Sequence, residues 1–323
     1  MANIVGKARR LLVAAAGFLC AATAAFAADD VRIGVDFNVL GAQVWVAKDK
    51  GLFEKRGINA EVKPFAFGVD TIDATLTGQL DFGLGLDFAT TTRLQSGQLK
   101  IISAIIEPEA GFHKLAVSEA IKKPEDLAGK NIGIAKGTAQ HLVTISYLQN
   151  FGVTDATLSP LPSLLEIVAS LRAGRIDAAF VWGDGVAQAS QIPGASILGD
   201  DKPANVRLYG YVTTTNQFAE SNPQAVTNTL AALAEATDWM EANWDEAVDI
   251  VAGHAKSPRE AVAAQMKNQH YTISLKQAQL DGFNKIADFA LANGIVKEPI
   301  KPRNFIDESF LEQADASRVS LSD

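Results

Sequence analysis

Leu76-Thr77-Gly78-Gln79-Leu80-Asp81-Phe82 returns in altered form as Leu171-Arg172-Ala173-Gly174-Arg175-Ile176-Asp177-Ala178-Ala179-Phe180. In both copies an apolar helical stretch stops at a glycine, the residue that reaches the left-handed conformation a helix end needs. An Asp-led apolar run then restarts as a strand. Ile33-Gly34-Val35 and Ile132-Gly133-Ile134 form a second matching pair at similar spacing, each a buried-strand pattern followed by a polar or glycine-containing loop and a helix. The reading is of one α-to-β corner built twice, and two related α/β lobes imply a cleft between them. Chance recurrence of such corners, common in any α/β protein, is the competing reading.

Outward from these corners, strands are expected at 31–35, 59–65, 82–84, 100–106 and 114–117, with amphipathic helices between them. Alternation of strands and helices argues for mainly parallel sheets. The chain turns polar at Lys122-Lys123-Pro124-Glu125-Asp126 and then starts the pattern again at 131–135. The β-rich run 207–213 is read as the return to the first lobe. The expected division is a first lobe of 28–116 with 213–323 and a second of 117–212. After Asn222-Pro223 only helices are expected, at 225–243, 244–253, 257–267 and 275–293. Trp239, Trp244 and Phe283 on them are read as core or inter-helix packing.

Lys7, Arg9 and Arg10 precede an uncharged Ala/Leu-rich run that closes with Ala25-Phe26-Ala27, a small-x-small cleavage pattern. Residues 1–27 are therefore read as an export signal, cleaved after Ala27, rather than as a single membrane anchor. Leu19 before Cys20 argues against lipid attachment. Cys20 is the only cysteine in the 323 residues, so the exported chain rests on a packed core and not on disulfides. A composition of 48% hydrophobic residues supplies that core. The formal net charge of −8 becomes more negative once the cationic leader is removed, which disfavours nucleic acid and anionic lipid as partners.

A cleft between doubly wound lobes exposes the loops after the strands and the helix N-termini behind them. Those termini present free N–H groups and a favourable dipole to anionic or polar oxygens. Phe67-Gly68-Val69-Asp70-Thr71 and Lys136-Gly137-Thr138-Ala139-Gln140-His141 are the two candidate helix starts. Thr138 suits either a ligand contact or the capping of its own helix, and the two roles are compatible. Asp36, Asn38, Gln43, Asp87, Trp182 and Asp184 stand near strand ends, where polar cleft linings are found. Trp182 offers an apolar wall beside polar groups, against the alternative that it is core. The four histidines show no metal-ligand spacing, and no dinucleotide, phosphate-loop or nucleophile-elbow pattern is complete. No catalytic residue, metal or cofactor is expected, and the chain is read as a binder and not an enzyme.

Ala47-Lys48-Asp49-Lys50-Gly51-Leu52-Phe53-Glu54-Lys55-Arg56-Gly57-Ile58, Gly78-Gln79-Leu80-Asp81-Phe82-Gly83, Asp126-Leu127-Ala128-Gly129-Lys130-Asn131-Ile132-Gly133, Gly137-Thr138, Gly174-Arg175-Ile176-Asp177-Ala178 and Trp182 occur in the order that marks a known group. The chain resembles the aliphatic-sulfonate, taurine and nitrate group of periplasmic substrate-binding proteins for ABC importers, which also includes binders of thiamine-pyrimidine precursors. The resemblance implies a type II periplasmic-binding-protein fold, capture of a small organic anion or zwitterion, periplasmic location, and an ABC permease with its ATPase as partners of a monomer. It implies site roles for Asn38, Gly68, Thr138 and Trp182. The first loop lacks a proline common in the group, and Gly183 stands where many relatives are acidic, which bears on the ligand more than on the role. Nitrate or a thiamine-pyrimidine precursor is the alternative ligand. Same-fold pyrimidine synthases and porphobilinogen deaminases need cysteines this exported chain lacks, and no helix-turn-helix precedes the lobes to make a transcription regulator.

Overall fold

Two mixed sheets divide the chain between them in the computed structural model, which describes residues 28–37 and 39–322. The chain opens with β1 (Asp29–Asp36), α1 (Ala42–Asp49), β2 (Ile58–Phe65), α2 (Gly68–Leu76), β3 (Phe82–Leu86), α3 (Asp87–Leu94) and β4 (Leu99–Pro108). It crosses over and builds β5 (Lys114–Ser118), β6 (Asn131–Ile134), α4 (Ala139–Asn150), β7 (Thr157–Pro160), α5 (Leu164–Arg172), β8 (Ala178–Val181), α6 (Asp184–Ser190) and β9 (Ala195–Asp200). It returns through β10 (Gly210–Thr215) and continues with α7 (Asn216–Ser221), α8 (Pro223–Ala242), α9 (Trp244–Ala255), α10 (Arg259–Met266), β11 (Gln269–Lys276), α11 (Gln277–Ala292), α12 (Ser309–Asp315) and β12 (Val319–Ser320).

The first sheet has the order β12-β11-β4-β10-β3-β1-β2 and the second β7-β6-β8-β5-β9. The unit β1-α1-β2-α2-β3 is thus repeated as β6-α4-β7-α5-β8, and both units carry parallel pairing. The repeat reaches single bonds. Gly78 and Gly174 both take left-handed backbone, at φ +73° and +65°, and end α2 and α5. Asp81 and Asp177 then tie the corner to the first strand of their unit: each carboxylate accepts a backbone N–H at 2.8 Å, from Arg32 and Asn131 respectively. The N–H groups of the same two aspartates return bonds to the carbonyls of Arg32 and Asn131, at 2.9 and 2.7 Å.

The expectation of mainly parallel sheets is corrected. Each sheet is mixed: β10 joins β3 and β4 antiparallel in the middle of the first, between parallel pairs at its two ends, and β5 joins β8 and β9 antiparallel at one side of the second. These strands arrive by crossing from the other lobe, so no crossover helix sets their direction. Sheet membership also moves the boundaries: β5 pairs wholly within the second sheet, although the expected division gives 114–116 to the first lobe, and β10 pairs wholly within the first, which agrees with 207–213 as the return to that lobe but not with a lobe boundary at 212. The tail is not all-helical either. In β11 the side chains of Tyr271, Ile273 and Leu275 alternate into the core, and the strand pairs antiparallel with β4. Phe283 is buried and stacks on Tyr211 at 4.7 Å, whereas Trp239 and Trp244 are half-buried against the core.

Candidate functional site

The N-termini of α2 and α4, one from each lobe, meet on a narrow cavity of about 40 Å³. Gly68 and Val69 of α2 and Thr138, Ala139 and Gln140 of α4 are among its walls. First-turn N–H groups have no partner within their own helix. Neither N-cap side chain supplies one: Phe67 cannot, and the Thr138 hydroxyl donates back to the Ala135 carbonyl at 2.7 Å. The single proton of Thr138 is therefore spent inside the loop, and the hydroxyl keeps acceptor capacity only. Gly68 has a reason beyond ligand access, since a Cβ there would stand 2.9 Å from the Leu84 carbonyl oxygen and 3.0 Å from Gly85 Cα. Helix α2 lies that close to β3.

Aromatic rings close the cavity. Trp182, at the end of β8, is only 7% exposed yet belongs to the wall, so the pocket and core readings of it both hold. Phe67 of the first lobe tilts against it at 6.0 Å and His113 meets it edge-on at 5.8 Å. His113 lies on the first crossing, held through Nδ1 to the Asp201 carboxylate at 2.8 Å. The same carboxylate accepts the N–H groups of Gly111 and His113. Burial pushes the Asp201 carboxyl up, but the bonds from His113 and Gly111 outweigh it and hold the group below the usual carboxylate range. With Asp201 ionised, His113 Nδ1 carries a proton and donates it to the carboxylate.

Gln140 fixes the floor. Its amide nitrogen donates to the carbonyls of Gly133 (3.0 Å) and Phe180 (3.2 Å), and its oxygen accepts the Ala135 N–H at 2.9 Å. His141 follows, accepting the Gly137 N–H at 3.3 Å through Nδ1 and meeting Phe88 of α3 edge-on across the lobes. Burial, helped by the charge of Lys136, pushes His141 down to about 4. It is neutral at physiological pH.

Of the residues picked from the sequence, the structure brings Gly68, Thr138 and Trp182 to this cavity, together with Asp36. Asn38 lies outside the described residues. Gln43 is fully buried and points away, donating to the carbonyls of Ile105 (2.7 Å) and Thr272 (3.3 Å) beneath α1. Asp87 is also fully buried and accepts the N–H groups of Tyr209 (3.0 Å) and Phe88 (2.8 Å), which fastens the returning crossing to α3. Burial pushes its carboxyl up to about 7. Asp184 is exposed beside an outer chamber and accepts from Ser257 Oγ at 2.7 Å. Sequence reasoning missed His113 and Gln140. The signal for Gln140 was present: Ala139-Gln140 opens α4 as Ala42-Gln43 opens α1.

A model of the family described as NMT1/THI5 like matches residues 38–247, well over half of the chain. The chain belongs to the NMT1/THI5-like family. Relatives of this NMT1/THI5-like chain include a protein of Brucella abortus (strain 2308) named as a binding protein, 28% identical over 85% of this chain and 89% of its own length. The taurine-binding periplasmic protein of Escherichia coli (strain K12) is 27% identical over 68% of each chain. Among solved structures, the alkanesulfonate-binding protein of Xanthomonas axonopodis pv. citri, bound to MOPS, superposes with a TM-score of 0.76 at 20% identity, over 88% of this chain and all of the other. The periplasmic nitrate-binding protein of Synechocystis PCC 6803 gives 0.72 at 14% identity, over 90% and 89%. These likenesses show the two-lobe periplasmic-binding-protein fold. Among the described residues, no helix is long and apolar enough to cross a membrane.

Proposed function

We propose that this NMT1/THI5-like protein is the exported solute receptor of an ABC importer, capturing a small organic oxoanion of the aliphatic-sulfonate or taurine class and delivering it to the permease and its ATPase. One observation carries the reading: two helix N-termini converge from different lobes on one cavity, and neither N-cap side chain, Phe67 or Thr138, caps its helix, the Asp70 carboxylate of α2 accepting the N–H of Phe67 instead. Main-chain donors and helix dipoles are suited to oxoanion oxygens. Because each lobe brings half of the donors, the ligand binds the closed arrangement best and shifts the lobes toward it. The names of the Escherichia coli and Xanthomonas relatives agree with this class. Residues 1–27 are the proposed export signal, the periplasm is the proposed compartment, and the receptor is proposed to act as a monomer without cofactor.

A second reading, a flat thiamine-pyrimidine precursor, is favoured by the aromatic wall of Phe67, His113 and Trp182. Thermal melting of the protein against taurine, alkanesulfonates, nitrate and pyrimidines separates the two. Ligand at 100 times its dissociation constant adds about 2.7 kcal/mol. A rise in Tm with sulfonates is expected; a rise with pyrimidines alone overturns the sulfonate reading in favour of the second.

A further inference from the structure

Trp182 follows β8 and belongs to the wall of the inner cavity; two residues on, Asp184 opens α6 beside an outer chamber of about 420 Å³. Between them Gly183 takes φ +53° and ψ −136°, a backbone that would strain any residue with a side chain. The Asp184 carboxylate then crosses to the first lobe. Its Oδ2 accepts from Ser257 Oγ at 2.7 Å and its Oδ1 from Gln265 Nε2 at 3.3 Å. Gln265 lies on α10, and Ser257 stands just past α9, which packs on α1. The turn that presents Ser257 is unusual as well. Lys256 ends α9 at φ +51° and is one of two non-glycine residues in left-handed backbone among the described residues.

We propose that Asp184 is an interlobe latch: it holds the lobes in the closed arrangement from outside the solute cavity and makes no contact with the solute. This rests on the reading of the chain as a receptor whose lobes close on a solute, and not on which solute that is. Both carboxylate oxygens are engaged by the first lobe, which commits the group to the lobe contact. The end of β8 thereby meets the first lobe twice within three residues, through the Trp182 ring on Phe67 at 6.0 Å and through Asp184 on the α9–α10 corner. Parting the lobes breaks both contacts together, so the cavity wall and the latch move as one. Two turns in sparsely populated backbone, one on each side of a charge-assisted hydrogen bond, present the partners to each other across the lobe boundary. Water replaces these bonds when the lobes open, so they shift the closed-to-open ratio by only about fivefold.

Distances between spin labels read the closed and open populations. Glu241→Cys on α8 and Arg172→Cys on α5 place one label on each lobe at exposed positions, in a Cys20→Ser background that leaves no other thiol. In double electron-electron resonance, run on the free protein and with taurine, Asp184→Ala should lower the closed-to-open ratio about fivefold and Ser257→Ala about threefold. The double variant should fall no further than Asp184→Ala, because the shared bond is lost only once. Asp184→Asn, whose amide oxygen still accepts from Ser257, should recover most of the ratio. Melting curves verify folding in each. Label distances that Asp184→Ala leaves unmoved, both free and with taurine, overturn the latch; so does a loss from Ser257→Ala that adds in full to that from Asp184→Ala. Where taurine binds, it should dissociate faster from both single variants. Faster release from Asp184→Ala alone would make Asp184 a solute contact and overturn the latch as well. If taurine does not bind, the oxoanion reading loses its support, while the label distances of the free protein still decide the latch.

Discussion

Helices α1 and α4 start alike and are used differently. Each opens with Ala-Gln after the first strand of its unit, and each glutamine is buried and donates to two backbone carbonyls. In the second lobe those carbonyls belong to β6 and β8 of the repeated unit itself, so Gln140 braces the floor of the cavity. In the first lobe the sheet is wider, and Gln43 reaches instead to Ile105 on β4 and Thr272 on β11. The helix start that faces the cavity there is α2. One duplicated unit thus yields a cavity-facing α4 and a core-facing α1, and the strands added beside the unit decide which.

The largest effect separating the helix starts is expected at Gly68. Gly68→Val drives a side chain into the Leu84 carbonyl and the Gly85 backbone, neither of which can yield as a flexible side chain would. A loss of about 3 kcal/mol is expected in urea or thermal unfolding. If the variant is as stable as the native protein, the close approach of α2 to β3 is wrong. Ligand titration of this variant says little, because the fold is disturbed first.

Next come the two glutamines. Gln140→Leu strands the Gly133 and Phe180 carbonyls and the Ala135 N–H, at a cost of about 3 kcal/mol, with weakened ligand binding because the α4 start shifts. Gln43→Leu strands two carbonyls only and should cost about 2 kcal/mol while the dissociation constant stays within about threefold. A larger loss of affinity from Gln43→Leu than from Gln140→Leu would reverse the assignment.

These pairs show what the sequence could reveal. The doubled corner was legible because a helix stop, a left-handed glycine and an Asp that caps the next strand are local events, written within ten residues. The cavity-facing helix starts at Gly68 and Thr138 were legible for the same reason. Gln43 and Asp87 were misplaced because their partners, at Ile105, Thr272 and Tyr209, are far away in the chain and fixed only by the order of the sheet. His113 offered no local sign of its role, since Asp201, which orients it, lies on the other crossing. Strand β11 did carry a period of two in Tyr271, Ile273 and Leu275, which the surrounding helices outweighed.

Two buried titratable groups sharpen the comparison through pH. Asp87 on the first lobe is pushed up to about 7, so the folded state holds its proton while the unfolded chain releases it near 4; its contribution is present at low pH and lost as pH rises toward 7. His141 on the second lobe is pushed down to about 4, so its contribution is present above about 6.5 and lost as pH falls toward 4. The two slopes oppose. Asp87→Asn should make stability rise more steeply with pH across that window, and His141→Gln should make it fall. Tm profiles of both variants against the native protein check the signs, and matching slopes in all three would show that neither group titrates differently on folding.

The smallest effect is expected at Thr138, where the cavity-facing helix starts are most alike. Neither Phe67 nor Thr138 caps its helix through its side chain, so the proposed oxoanion would meet main-chain donors in both. The Thr138 hydroxyl gives its proton to Ala135, so Thr138→Ala removes one loop bond, worth about 1 kcal/mol of stability. Binding should weaken less than about threefold, because the helix N–H groups remain in place. Thr138→Ser, which keeps the hydroxyl, should recover the stability. If Thr138→Ala instead weakens binding tenfold with little change in Tm, the hydroxyl turns to the ligand when the lobes close, and the two helix starts are not equivalent in how they hold it.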